Sequence, residues 1–157
     1  MDRLRQQVGR LEATPDELES RNQRSALFKT MFLAFRERGA KDWETRIGIS
    51  LKHVGQQHRL EFHHIFPQAF LRGHYPPREI NDIANLAFIG AETNKAISAK
   101  PPKTYFKQYT STPAARKSFA AQGIPTNSAL LEAKDYHKFL AARRVEIARI
   151  INEFLGV

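Results

Sequence analysis

Two short runs with strand character, Arg59-Leu60-Glu61-Phe62 and Leu86-Ala87-Phe88-Ile89, stand in a chain whose other apolar residues recur mostly at helical spacing. Strands that short gain little alone, so they are expected to pair and to bury their hairpin among helices. Between and beyond them the order is strand, loop, strand, helix. Asn85 opens the second run, Gly90 closes it, and Glu92-Thr93-Asn94-Lys95-Ala96 has helix-forming composition. The expected fold class is α+β and mainly helical: one two-stranded antiparallel hairpin and one crossing helix set among several flanking helices.

Composition narrows the partners. The 157 residues suffice for one domain with a proper core and are too few for two comfortable ones. Twenty-five Lys and Arg against 16 Asp and Glu give a formal net charge of +9, more than solubility needs, which favours a polyanionic partner. The absence of cysteine excludes disulfides and thiolate zinc sites and suits a reducing cytoplasm. No apolar run is long enough to span a bilayer, and the start Met-Asp-Arg-Leu-Arg has no hydrophobic signal core, so membrane insertion and secretion are not expected.

The first strand ends in His63-His64, followed by Ile65-Phe66-Pro67; Asn85 begins the second strand, and Asn94 follows nine positions later on the helix. This order of His, Asn and Asn resembles the HNH (His-Me finger, ββα-metal) endonucleases. The segments His63-His64-Ile65-Phe66-Pro67, Ile83-Ala84-Asn85-Leu86 and Asn94 to Pro102 look most like the C-terminal nuclease domain of GmrSD-type modification-dependent restriction enzymes. The likeness is close from about Leu60 to Tyr105. It implies a metal-dependent DNA endonuclease of a prokaryotic restriction or anti-phage system, nicking one strand per visit because only one ββα unit is present. It divides the chain into an N-terminal helical part (1–56), a ββα-metal core (57–100) and C-terminal helices (101–157). It also implies a possible NTP-using sensor domain or subunit ahead of the nuclease, this chain then being the C-terminal part of a longer protein.

The residue types suit that chemistry. Histidine's ordinary pKa near 6.5 suits a base that takes a proton from water, and His64 is the candidate. His63 through a ring nitrogen and Asn94 through its amide oxygen are the expected ligands of a divalent cation. Mg²⁺ is favoured by abundance, while mixed nitrogen and oxygen ligands also suit Mn²⁺, Ni²⁺ or Zn²⁺. Neighbouring strand residues face opposite ways, so the two histidines share a site only where the strand twists, bulges or ends. Asn85 is expected to hold a neighbouring loop by its amide and so to aim His64, with Asn81 its rival for that place. Lys95 and Lys100 are expected phosphate contacts. Two other readings fit the composition: a nucleic-acid-binding module with an idle site, and a helical interaction domain for an acidic protein.

The flanks read as helices. Residues 1–13 suggest a short or frayed one. Thr14-Pro15-Asp16-Glu17 forms a helix start with a capping box, and one helix is expected from there to Gly39, with Leu18, Leu27, Met31, Phe32 and Phe35 as its apolar stripe. Ile47, Ile49 and Leu51 alternate as a short strand would, whereas Trp43-Glu44-Thr45-Arg46 suits a helix; both readings stand. Gly55-Gln56-Gln57 reads as a turn. Gln68 to Leu71 and Arg78 to Ile83 read as helical turns, the second with Ile80 and Ile83 inward. Tyr105, Phe106 and Tyr109 on the helix after Pro102 are core rings or platforms for unpaired bases. The last helix, 133–155, is expected to carry Arg143, Arg144, Glu146 and Arg149 on its polar side and to cover Phe28, Phe32 and Phe35. His53, His58, His74 and His137 read as surface or loop histidines.

Overall fold

A computed structural model describes residues 12–51 and 59–157. The turn expected at Gly55-Gln56-Gln57, nearly all of the helix suggested over 1–13, and His53 and His58 lie outside the described residues.

Strands β1 (Leu60–His64) and β2 (Leu86–Gly90) pair antiparallel, with His63 opposite Ala87 and His64 opposite Leu86. The pleat puts Glu61 and His63 on one face with Ala87 and Ile89, and Phe62 and His64 on the other with Leu86 and Phe88. Eight helices accompany the sheet among the described residues. They are α1 (Pro15–Leu18), α2 (Ala26–Glu37), α3 (Gln68–Leu71), α4 (Pro77–Ile80), α5 (Ala91–Ile97), α6 (Pro102–Tyr109), α7 (Pro113–Ala121) and α8 (Tyr136–Leu155). The mainly helical α+β class with a single two-stranded antiparallel sheet is thus as expected, and none of the described helices is long and apolar enough to cross a membrane.

Phe88 is the centre of one half of the core. Phe28, Phe32 and Phe35 of α2 close on its ring, with centroids 5.1, 5.1 and 6.0 Å away. The aromatic stripe therefore packs on the sheet, while α2 also lies against α8 as expected. On the opposite face Trp43, Tyr105, Tyr109 and Phe119 form a second ring cluster, Trp43 to Phe119 being 4.5 Å. Tyr105, Phe106 and Tyr109 are at most 4% exposed, which leaves them no face for a base.

Three expectations change. The single helix to Gly39 is two: the Thr14 capping box forms as read, but α1 stops at Leu18 and Ser25 caps a fresh start by accepting from the Phe28 N–H. The break is imposed from outside, because the Ser20 N–H donates to the Asp82 carboxylate at 2.9 Å and the Ile83 N–H to the Arg21 carbonyl at 2.9 Å. Between Ala40 and Leu51 there is neither a strand nor a helix, only a loop pinned by the bridge of Lys41 to Gly48. Its Asp42 carboxylate explains why: it accepts from Thr45 N and Oγ1, Glu44 N, Gly90 N and Thr93 Oγ1, tying the loop to the junction of β2 and α5.

Arg143 is the third. It sits on no polar face but is fully buried, its guanidinium donating to the carbonyls of Ala84, Leu86 and Gln122 at 2.9, 2.6 and 3.2 Å. Burial pulls its pKa down to about 9. Gln122, also buried, exchanges two hydrogen bonds with the Phe88 backbone, as a neighbouring strand would. Between them these two side chains close the free edge of β2, which otherwise would carry unpaired backbone groups in the core.

Candidate active site

The polar residues of the hairpin converge at its His63-His64 end. His63 is 2% exposed, with its ring edge-on to Trp43. Its Nδ1 lies 2.8 Å from Asn94 Oδ1 and its Nε2 3.0 Å from the Tyr105 hydroxyl. That hydroxyl lies 2.7 Å from the Ile65 carbonyl, to which it must donate. Donating there, it accepts from His63, which favours the neutral tautomer with its proton on Nε2; the other tautomer would satisfy Asn94 and leave the Ile65 carbonyl without that donor. Nδ1 then keeps its lone pair.

Asn94 faces that lone pair with another. Its Nδ2 donates to Glu61 Oε2 at 2.6 Å, so the carboxylate fixes the amide with Oδ1 toward His63. The three contacts along Asn94, His63, Tyr105 and Ile65 need three protons, and neutral His63 with Tyr105 supplies two. A charged imidazolium would supply the third. Burial opposes it, with help from the charges of His64 and Arg143, and although the Asn94 bond pushes the other way the His63 pKa falls to about 4. Two lone pairs 2.8 Å apart invite a cation. Cis ligands with bonds of about 2.1 Å at right angles stand about 3.0 Å apart, so the observed spacing fits one.

His64 is half-buried, and its pKa is lowered by burial despite the bond to Asn81. Its Nε2 lies 2.9 Å from Asn81 Oδ1, which also accepts from Gln68 Nε2 at 3.2 Å. Asn81 Oδ1 is thus the acceptor and His64 the donor through Nε2–H, leaving Nδ1 as the free base. The pleat turns the two histidines to opposite faces, yet at this last residue of β1 His63, His64, Asn94 and Ser98 all line one cleft of about 300 Å³.

Asn85 does different work. Fully buried, it accepts the Phe66 N–H at 2.8 Å and donates to the carbonyls of Phe66 and Ile80 at 3.1 and 3.0 Å. It ties the exit of β1 to the end of α4, and so sets the backbone that follows His64 and the turn that carries Asn81. The direct contact with the His64 ring is made by Asn81. Lys95 is exposed one position beyond Asn94; Lys100, also exposed, donates to the Ala96 carbonyl at 3.2 Å. Neither has an acidic partner among the described residues.

Sequence reasoning missed Glu61 and Tyr105 as partners of the site, and weighed Asn81 only as a rival to Asn85. An acid two positions before a histidine pair on a strand was a usable signal for Glu61, since both fall on one face. Nothing local marked Tyr105. Among the described residues no three His, Cys, Asp or Glu side chains converge as a metal site, so a cation here depends on the amide oxygen of Asn94. No protein-family model, curated protein or solved structure matches this chain.

Proposed function

We propose that the chain is a metal-dependent DNA endonuclease of the HNH type, with His63 and Asn94 holding one divalent cation and His64 acting as general base. The observation that carries this reading is the 2.8 Å approach of His63 Nδ1 and Asn94 Oδ1, two candidate ligand atoms, at a cleft that His64 also lines. When bound, the cation offsets charge on the phosphate and on the departing 3′ oxygen. Mg²⁺ is the proposed ion, and Mn²⁺, Ni²⁺ or Zn²⁺ suit the same ligands.

The chain's own groups supply the rest. His64 Nδ1 takes a proton from water; Asn81 and Gln68 hold the ring so that this nitrogen and not Nε2 is free. Asn85 keeps the backbone around His64 in place. Lys95 and Lys100 take phosphates beside the cut, and the net charge of +9 draws the polyanion in. The products are 5′-phosphate and 3′-hydroxyl ends. One hairpin and helix serve one strand at a time, so the product is a nick. A role in restriction or anti-phage defence, alongside an NTP-using sensor, follows from the motif resemblance.

A plasmid-nicking assay with Mg²⁺, Mn²⁺ or EDTA tests this. Wild-type protein is expected to relax supercoiled plasmid with metal only, and His64→Ala to lose the activity while keeping its fold. Plasmid that stays supercoiled under every metal, with protein folded by circular dichroism, would overturn the enzyme reading.

A further inference from the structure

A groove of about 760 Å³ runs along the Phe62 and His64 side of the hairpin, between β1 and the loop after α1. It shares Phe62, His64 and Gln68 with the candidate cleft, so the two hollows meet at the proposed base. Phe62 is 42% exposed, although its ring stands edge-on to Phe28 at 5.0 Å and to Phe88 at 5.7 Å. Two buried rings thus brace an aromatic surface turned toward solvent.

The polar lining is complementary to a base and its phosphate. Asn81 spends its Oδ1 on His64 and on Gln68 Nε2; Asn81 Nδ2 and Gln68 Oε1 have no partner among the described residues, which leaves one donor and one acceptor in the lining. Arg24 and Arg59 border the groove, and Glu61, the acid there, is engaged by Arg59 at 3.3 Å and by Asn94. The lining offers a stacking ring, a donor-acceptor pair and cations, which together match a nucleoside better than a peptide or a lipid.

We propose that this groove receives an unstacked nucleoside flanking the cleaved phosphate, so that single-stranded or locally unpaired stretches, such as those of supercoiled DNA, are bound in preference to intact duplex. The proposal rests on the nuclease reading for the position of the phosphate. A strand whose phosphate lies in the cleft passes His64 and delivers its neighbouring base to Phe62. A base inside a duplex cannot reach that ring without unpairing.

Fluorescence anisotropy with a labelled single-stranded oligonucleotide and its duplex, both in EDTA, tests binding apart from cleavage. Phe62→Leu keeps apolar bulk against Phe28 and Phe88 but removes the stacking face; it is expected to weaken single-strand binding about tenfold. Phe62→Trp should restore it, and neither variant should alter duplex binding. Unchanged single-strand affinity in a folded Phe62→Leu protein, or equal losses on strand and duplex, would overturn the groove proposal even if plasmid is nicked. Phe62-dependent strand binding without cleavage under any metal would support the groove while overturning the nuclease reading.

Discussion

Tyr105 decides which nitrogen of His63 keeps a lone pair, and it does so from a helix 42 positions away in sequence. On the proposed function, Tyr105→Phe should leave His63 free to change tautomer and lower the nicking rate about 10- to 100-fold, as loss of a partner behind a metal ligand would. An unchanged rate would mean that the hydroxyl does not set the ring. Ser98, in the same cleft, has φ 53° and ψ −131°, a conformation suited to glycine. Ser98→Gly should therefore raise stability by about 1 kcal/mol in urea titrations; a loss would show that the backbone there is not strained. The order and spacing that make His63, His64 and Asn94 candidates were legible in the chain. Glu61, Asn81 and Tyr105 were not, since each matters through a contact made only on folding, with partners 33, 17 and 42 positions apart.

Elements were legible where local chemistry decided them. The Thr14 capping box, the strands flanking the loop and the Pro102 helix start follow from short-range rules. The break between α1 and α2 and the loop around Asp42 do not, because both are set by hydrogen bonds to distant segments. Asp42 makes the second of these testable. Burial pushes its carboxyl up, but hydrogen bonds from Thr45, Thr93 and Gly90 outweigh that and hold it below its ordinary 3.8. A depressed folded pKa stabilises above the unfolded value and is lost as pH falls through the folded one. Asp42→Asn should melt lower than wild type at neutral pH, and the gap should narrow below about pH 4. A gap that stays constant down to pH 3, on the order of one unit below the ordinary value, would show that the carboxylate's charge is not what the loop uses.

One buried cation links the sheet to the long C-terminal helix. Arg143 reaches from α8 to the carbonyls that bracket the start of β2, next to Asn85. Arg143→Met would leave three carbonyls without their donor and should cost about 3 kcal/mol, read as an earlier urea midpoint; a loss within experimental error would mean that water replaces the guanidinium. Helical periodicity put this arginine on the solvent side of α8, because periodicity cannot reveal that a sheet edge needs closing. The proposed function requires His63 and Asn94 to keep their 2.8 Å spacing at the cleft that His64 also lines. Mn²⁺ titration followed by electron paramagnetic resonance, on wild type and on Asn94→Ala, measures that grip without relying on cleavage. The expected result is one Mn²⁺ per wild-type chain and none for folded Asn94→Ala; equal binding by the two proteins, or none by either, would contradict a cation held by this pair.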